Sequence, residues 1–352
     1  MCNADMENKR SGTKTIPVHE SIGTILAHDI TEIRPGEFKG PAFKKGHIVR
    51  QEDICHLQRL GKDHLYVLNL AEDEVHEDDA ALAFGNALMG SNVAIQGEPK
   101  EGKINIIAKT DGLLKIRKDA LLEFNLLGDA MCATLHDNTV VQQGQIVAGT
   151  RAIPLVVKKD LVQTAVRIGE KAGAIISVRN IRKPKAGVVI TGNEVYYGRI
   201  QDAFASVITS KIKAVGGEIV GIYFAPDDES YIESRLQELL RAGADLLITT
   251  GGMSVDPDDV TRFAVRKLGA TEMTYGSAAL PGAVFLMAYW NDVPILGIPA
   301  CGMYAKTTVL DLVLPRVLAN EIIGRRELAE LGHGGLCRKC DECRFPICPF
   351  GK

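Results

Sequence analysis

Aromatic residues are scarce: Phe, Tyr and Trp make up 5% of the 352 residues, with one Trp. A chain so poor in rings, with 35 glycines, suits an α/β protein rich in loops. Basic excess is lacking too. The formal net charge is -3, which leaves no electrostatic footprint for nucleic acid. No apolar run is long enough to span a membrane. The polar opening MCNADMENKRSGTKT lacks the apolar centre of a secretory signal. These absences predict a cytoplasmic protein with neither a nucleic-acid nor a membrane partner. Four of the eight cysteines (Cys2, Cys55, Cys132, Cys301) are scattered and are expected to be free thiols in a reducing compartment. What the chain does have is 46% hydrophobic and 24% charged residues, enough for a sizeable core. Its length points to two or three domains.

Residues 1–14 are expected to be disordered. Residues 15–95 read as an α+β region. A strand-like TKTIPV is followed by a turn at Gly46, a short helix from Gln51 to Leu60 ended by Gly61, and a strand from Leu65 to Leu70. Residues 71–90 read as an acidic helical stretch. Its charge run, Glu72 to Asp79, is expected to be a solvated helix start, with His76 on the surface. Residues 96–180 read as β-rich. They hold a Thr110-Asp111-Gly112 hairpin signal, a strand-like ALLEFNLLG and one clear helix, Asp160 to Lys171. Pro184 and the basic string Arg179, Arg182, Lys183 and Lys185 mark a boundary, the string being expected to lie over acidic neighbours.

From 184 to 325 strands alternate with helices, the pattern of a three-layer α/β/α domain with a mostly parallel sheet. Strands are expected at Ala186–Thr191, Glu218–Phe224, Leu246–Thr250, Glu272–Tyr275, Val284–Tyr289 and Val293–Ile298. Helices are expected at Asp202–Val215, Ser230–Arg241 and, as one long element, 302–321. Ligands of such sheets sit beyond the carboxyl ends of the strands. Four loops meet that description: 191–202, 225–229, 250–261 and 298–303. The most pointed of them lies in Asp245–Thr261, DLLITTGGMSVDPDDVT. It reads as buried strand, glycine pair, acidic turn and helix start. Glycines let a backbone approach an anion, and a helix start offers free N–H groups. The carboxylates would repel phosphate unless a metal lies between, so the stretch suggests a phosphorylated ligand with Mg²⁺. An ordinary strand-to-helix turn with an acidic helix start is the alternative.

Residues 332–352 form a Cys-rich tail, CRKCDECRFPICPF at its centre. Cys337, Cys340, Cys343 and Cys348 stand at C-x2-C-x2-C-x4-C. That spacing suits one tetrahedral Zn²⁺ or an Fe–S cluster, the alternative being an unliganded tail. Gly332, Gly334 and Gly335 predict a hinge before it.

The four loop strings, TGNEVYYGRIQD, APDDE, TTGGMSVDPDDVT and GIPACG, resemble in order and spacing those of the molybdopterin-binding domain. That domain occurs in molybdopterin adenylyltransferases, molybdenum-insertion enzymes (including the gephyrin E domain) and competence-damage-inducible proteins. The upstream IPVHESIGTILAHDI is similar to the opening of the insertion enzymes. The resemblance implies a molybdopterin molybdenumtransferase-like enzyme of molybdenum cofactor assembly. It would bind molybdopterin or its adenylate and insert molybdate with release of AMP. It implies Asp259 as a carboxylate positioning Mg²⁺, with Asp227 and Asp228 as its catalytic partners. Thr191, Gly192, Glu194, Asp202, Thr250, Gly251, Gly252, Ser254, Thr261, Pro299 and Ala300 would contact the pterin or its phosphate. Other cofactor-assembly proteins or a molybdoenzyme are implied partners, and a homo-oligomer is expected. Two departures stand out. The fourth loop reads Gly297-Ile298-Pro299-Ala300-Cys301-Gly302-Met303, without the family's asparagine or serine and second proline, and Met253 follows the glycine pair. The changed loop favours a second reading, a non-catalytic carrier or sensor of the cofactor. A third is a nucleotide pyrophosphohydrolase-like relative.

Overall fold

The computed structural model describes residues 13–34, 36–68, 70–253 and 260–352. The chain forms two compact units. One takes residues up to Thr110, Leu114–Leu135 and Val141–Val178; the other takes Asp111–Leu113, His136–Val140 and Arg179–Lys352.

The first unit opens with Thr13–Pro17 paired antiparallel to His64–Leu68. Thr13 and Lys14, expected to be disordered, therefore begin a strand. A hairpin, Ile30–Arg34 with Phe38–Phe43, closes over a small core of Val18, Leu26, Ile30, Phe43 and Leu57. A four-stranded sheet follows in the order Val93–Lys100, Lys103–Ala108, Ile146–Ala152, Ala130–Thr134. Helices Glu77–Leu88 and Lys159–Ala172 contribute Phe84, Leu88 and Ala165 to its core.

Three expectations fail in this unit. The Thr110–Gly112 turn makes no hairpin: Lys103–Ala108 and Gly112–Ile116 lie in different sheets, because both edges of the former are taken by other strands. ALLEFNLLG is largely a helix, Lys118–Asn125, whose Phe124 is fully buried edge-on to Phe84 with centroids 5.6 Å apart. The acidic run is a helix start only at its end, where Glu77, Asp78 and Asp79 open the helix Glu77–Leu88, and it is not solvated throughout. Glu74–His76 is a strand paired with Val156–Lys158, and Glu74, His76 and Glu77 are buried. His76, expected on the surface, is 5% exposed. Its Nδ1 accepts from the Asp78 backbone N–H at 3.1 Å and Nε2 donates to the Ala27 carbonyl at 3.1 Å. Burial, with neighbouring Asp78 adding to it, pushes the Glu77 carboxyl up to about 7.

The second unit is built on a six-stranded sheet. In chain order its strands are β1 Lys185–Thr191, β2 Glu218–Ala225, β3 Leu246–Thr250, β4 Thr271–Tyr275, β5 Leu286–Trp290 and β6 Val293–Ile298. They lie side by side as β2-β1-β3-β6-β5-β4. The first four in that order are parallel; β5 pairs antiparallel with β6, and β4 pairs antiparallel with β5. Successive side chains on a strand point to opposite faces, and the core follows that rule. Val188 and Ile190 join one apolar layer with helices α1 (Phe204–Ala214) and α4 (Val309–Leu318); Val189 joins the other with α2 (Glu229–Arg241) and α3 (Thr261–Lys267). This is the expected α/β/α sandwich. Three of the boundary cations, Arg179, Arg182 and Lys185, lie against acidic partners, Arg182 Nη1 donating to Asp245 Oδ1 at 2.7 Å. The long helix expected over 302–321 is shorter. A 3-10 turn spans Ala300–Met303, and α4 begins only after Thr308, whose hydroxyl accepts from the Leu310 N–H at 3.2 Å.

The tail does not hang from a hinge. Leu280 exchanges backbone hydrogen bonds with it: Leu280 N–H donates to Gly335 O at 2.7 Å and Cys337 N–H to Leu280 O at 2.8 Å. Phe350 is buried. Gly335 serves close packing, since a Cβ there would lie 2.2 Å from Leu331 O. Among the described residues no helix is long and apolar enough to cross a membrane.

Candidate functional site

Parallel pairing brings the loops together. Thr191 at the end of β1 is in register with Ala225 at the end of β2, Ile190 with Thr250, and Thr250 with Ile298. The four loops singled out from the sequence therefore leave one edge of the sheet.

The loop after β3 is the best defined. Gly251 and Gly252 have φ of +77° and +56°, a left-handed region that favours glycine. A Cβ on Gly251 would lie 2.3 Å from Thr191 O, and one on Gly252 would lie 2.4 Å from Thr261 Oγ1. Both faces of the glycine pair are thus pressed against threonines. The Thr191 hydroxyl donates to the Thr250 carbonyl at 2.7 Å and lies 3.0 Å from Thr261 Oγ1. Thr191, Thr250 and Thr261 are all buried. Thr191 and Thr261 hold the loop from beneath. The Thr250 hydroxyl has no hydrogen-bond partner among the described residues, a deficit that costs stability unless another group supplies the bond.

The next residue, Met253, is 3% exposed. A Cβ on Gly297 of β6 would lie 1.8 Å from its Cε and 2.7 Å from Leu286 Cβ. Met253 thus occupies space that a side chain at 297 would need. It roots the third loop in the apolar layer beside β6, and the Tyr275 hydroxyl donates to its carbonyl.

The first and second loops are clipped to each other. Asn193 N–H donates to Asp227 Oδ2 at 2.9 Å, and Asp227 N–H donates to Asn193 Oδ1 at 3.3 Å. Asn193 was missed in the sequence; its signal was adjacency to Gly192, whose φ is +137°. The Glu194 carboxylate folds back over Gly192, where a Cβ would meet Oε1 at 2.6 Å. Tyr196 was missed as well. It is edge-on to Tyr231, with centroids 5.7 Å apart, and the hydrogen bond between the two hydroxyls pushes the Tyr196 phenol above its ordinary value. Arg235 covers the Tyr231 ring.

Two other expected residues are engaged at helix starts. Asp202 gives both carboxylate oxygens to the start of α1, accepting from the Phe204 and Ala205 N–H groups at 2.9 Å each. Asp228 is the N-cap of α2, accepting from Tyr231 N–H at 2.7 Å. Ser254 and Asp259 lie outside the described residues. Among the described residues no group of three His, Cys, Asp or Glu side chains could hold a metal ion.

The fourth loop opens with buried Pro299 and exposed Ala300. Burial pushes the Cys301 thiol up. In the tail, the Cys343 thiol lies 3.2 Å from the Thr307 hydroxyl. That bond, a backbone bond at Phe345 and the Lys306 charge hold Cys343 below the usual thiol range.

Comparison with known proteins adds two family matches. Residues 187–319 match a probable molybdopterin binding domain, and residues 15–69 match a domain of unknown function. A CinA-like protein of Mycobacterium avium is 36% identical over 89 residues, 25% of this chain and 20% of the relative. One of Mycolicibacterium gilvum is 35% identical over 116 residues, 31% of this chain and 27% of the relative. These matches span roughly a fifth to a quarter of the relatives' own length. Among solved structures, the molybdopterin biosynthesis Mog protein of Mycobacterium ulcerans is 19% identical over 38% of this chain and 94% of its own, with a TM-score of 0.33. A molybdopterin biosynthesis MoeA protein of Pyrococcus horikosii is 15% identical over 88% of this chain and 75% of its own, with a TM-score of 0.32.

Proposed function

Since residues 187–319 are a domain of the molybdopterin-binding family, we propose that this chain takes adenylylated molybdopterin on the carboxyl edge of its sheet and inserts molybdate with release of AMP. The observation that carries the reading is the glycine pair Gly251-Gly252, pressed between Thr191 and Thr261 at the end of β3. A bare backbone at a strand's carboxyl end is a place for phosphate. The buried Thr250 hydroxyl supports the same reading, because a ligand oxygen would complete it.

In this reading the residues bind and orient. Phosphate oxygens lie against the backbone of Gly251 and Gly252. Thr191 and Thr261 fix that backbone, so its donors need no reorganisation when charge develops on the non-bridging oxygens. Asp227 and Asn193 keep the first two loops in one arrangement around the ligand. Magnesium belongs to the proposal through Asp259, the carboxylate to substitute first. The protein would act as a homo-oligomer in the cytoplasm, with molybdopterin and molybdate as its substrates.

The test is a single-turnover assay with adenylylated molybdopterin, molybdate and Mg²⁺, in which AMP release is followed in the native chain and in Asp259→Asn. Release that requires molybdate and Asp259 supports insertion. A second reading, a cofactor carrier or sensor, is favoured by the fourth loop, where Cys301 and Gly302 replace the family's residues. Tight binding of the adenylate without AMP release would move the assignment there. Hydrolysis of nucleotide pyrophosphates in its place would move it to the third reading.

A further inference from the structure

A cavity of about 620 Å³ separates the tail from the fourth loop, and five cysteines line it. Cys337, Cys340, Cys343 and Cys348 come from the tail wall, and Cys301 comes from the loop wall. All five are free thiols. Four cations, Lys306, Arg338, Lys339 and Arg344, share the lining, and no carboxylate does. We propose that this cavity holds a [4Fe–4S] cluster, with three irons bound by Cys337, Cys340 and Cys343 and the fourth by Cys301.

Four arguments lead there. The donors are soft thiolates, which select zinc, copper(I) or iron–sulfur centres. A single tetrahedral ion needs its donors to converge on one point. Among the described residues no three side chains are grouped to hold one ion, and the five cysteines line a space far larger than one ion. That spread is what a cube of iron and sulfide needs. Charge agrees: a cluster with four thiolates is anionic, and the wall is cationic throughout its charged members. The ligand count comes last. A C-x2-C-x2-C run gives three ligands to one cluster, and in ferredoxin runs the next cysteine, beside a proline, serves elsewhere. The corner facing away from the run must be met from the opposite wall, and Cys301 is the thiol that wall provides.

Both walls are fixed before any cluster arrives. The run starts at Cys337, whose N–H is bonded to Leu280 O at 2.8 Å. Cys301 sits in a 3-10 turn closed by Gly302 N–H to Pro299 O and Ala305 N–H to Cys301 O, both 2.9 Å. The Thr307 hydroxyl at Cys343 is a hydrogen bond of the kind that tunes cluster thiolates.

The test is anaerobic reconstitution of the full chain with ferric iron and sulfide, a thiol reductant supplying the electrons that reduce two of each four irons, read by iron and acid-labile sulfide analysis and visible absorption. The expected result is about four irons and about four sulfides per chain. Cys340→Ser should lose the cluster. Cys301→Ala should keep about three irons and, after oxidation with ferricyanide, show the electron paramagnetic resonance of a cluster short of one corner. Circular dichroism shows whether each variant is folded, and Cys301→Ala, with small neighbours on both sides, spares the turn. Uptake of one zinc per chain without sulfide would overturn the proposal. So would no metal uptake at all, or a complete cluster in folded Cys301→Ala. None of these readings depends on AMP release, so failure here and failure of the insertion reading are told apart.

Discussion

Glu77 shows how one buried group sets the acid–base behaviour of a fold. Its carboxyl titrates at about 7 in the native chain, against 4.5 ordinarily. The native state therefore holds its proton more tightly than the unfolded state does. The resulting stability is fully present below 4.5 and is lost as pH rises through about 7. Glu77→Gln should flatten the melting temperature across that window and raise it at the alkaline end. An unchanged slope in thermal denaturation would mean that Glu77 is not the group responsible. The threonines beneath the glycine pair act at the same scale. Thr191→Val leaves Thr261 without its hydroxyl partner and should cost about 1–3 kcal/mol in urea unfolding.

At the scale of elements, helix starts give a structural role to two carboxylates that the family resemblance placed in the site. Asp228→Ala should lower stability by about 1 kcal/mol, because α2 loses its cap; no loss in a denaturation curve would remove that role. The strands of the second unit were legible, because apolar runs alternate there with helices of ten or more residues. Their carboxyl ends, and so the four loops, could be placed from the sequence alone. The first unit was less legible for physical reasons. Glu74–His76 is three residues long and polar, and only its pairing with Val156–Lys158 makes it a strand. Lys118–Asn125 spans little more than two turns, too short for its periodicity to stand out, and it is fixed by burial of Phe124. Asp202 and Asp228 were implied by the family resemblance, and an acidic residue just before a helix can serve as its cap as well as a ligand. Nothing local in the tail tells a hinge glycine from one pressed against a carbonyl, as Gly335 is.

At the scale of the molecule, each unit has its own apolar core. Phe124→Ala should cost about 3–5 kcal/mol in the first unit. Trp290, the only tryptophan, lies in β5 of the second unit and gives a separate fluorescence signal. The expected result is an earlier far-ultraviolet transition with the Trp290 transition left in place. Movement of both together would show that the cores unfold as one.

Met253 and Gly297 lie far apart in sequence, yet they fill one space between them. Evolution cannot edit them one at a time. Gly297→Ala on its own should destabilise the chain, and Met253→Ala beside it should recover part of the loss, with Leu286 Cβ retaining the rest. In descendants of this chain the two positions should change as a pair or not at all. A comparison of many such sequences would then read the contact as a correlation, with the length of methionine traded against the bareness of glycine.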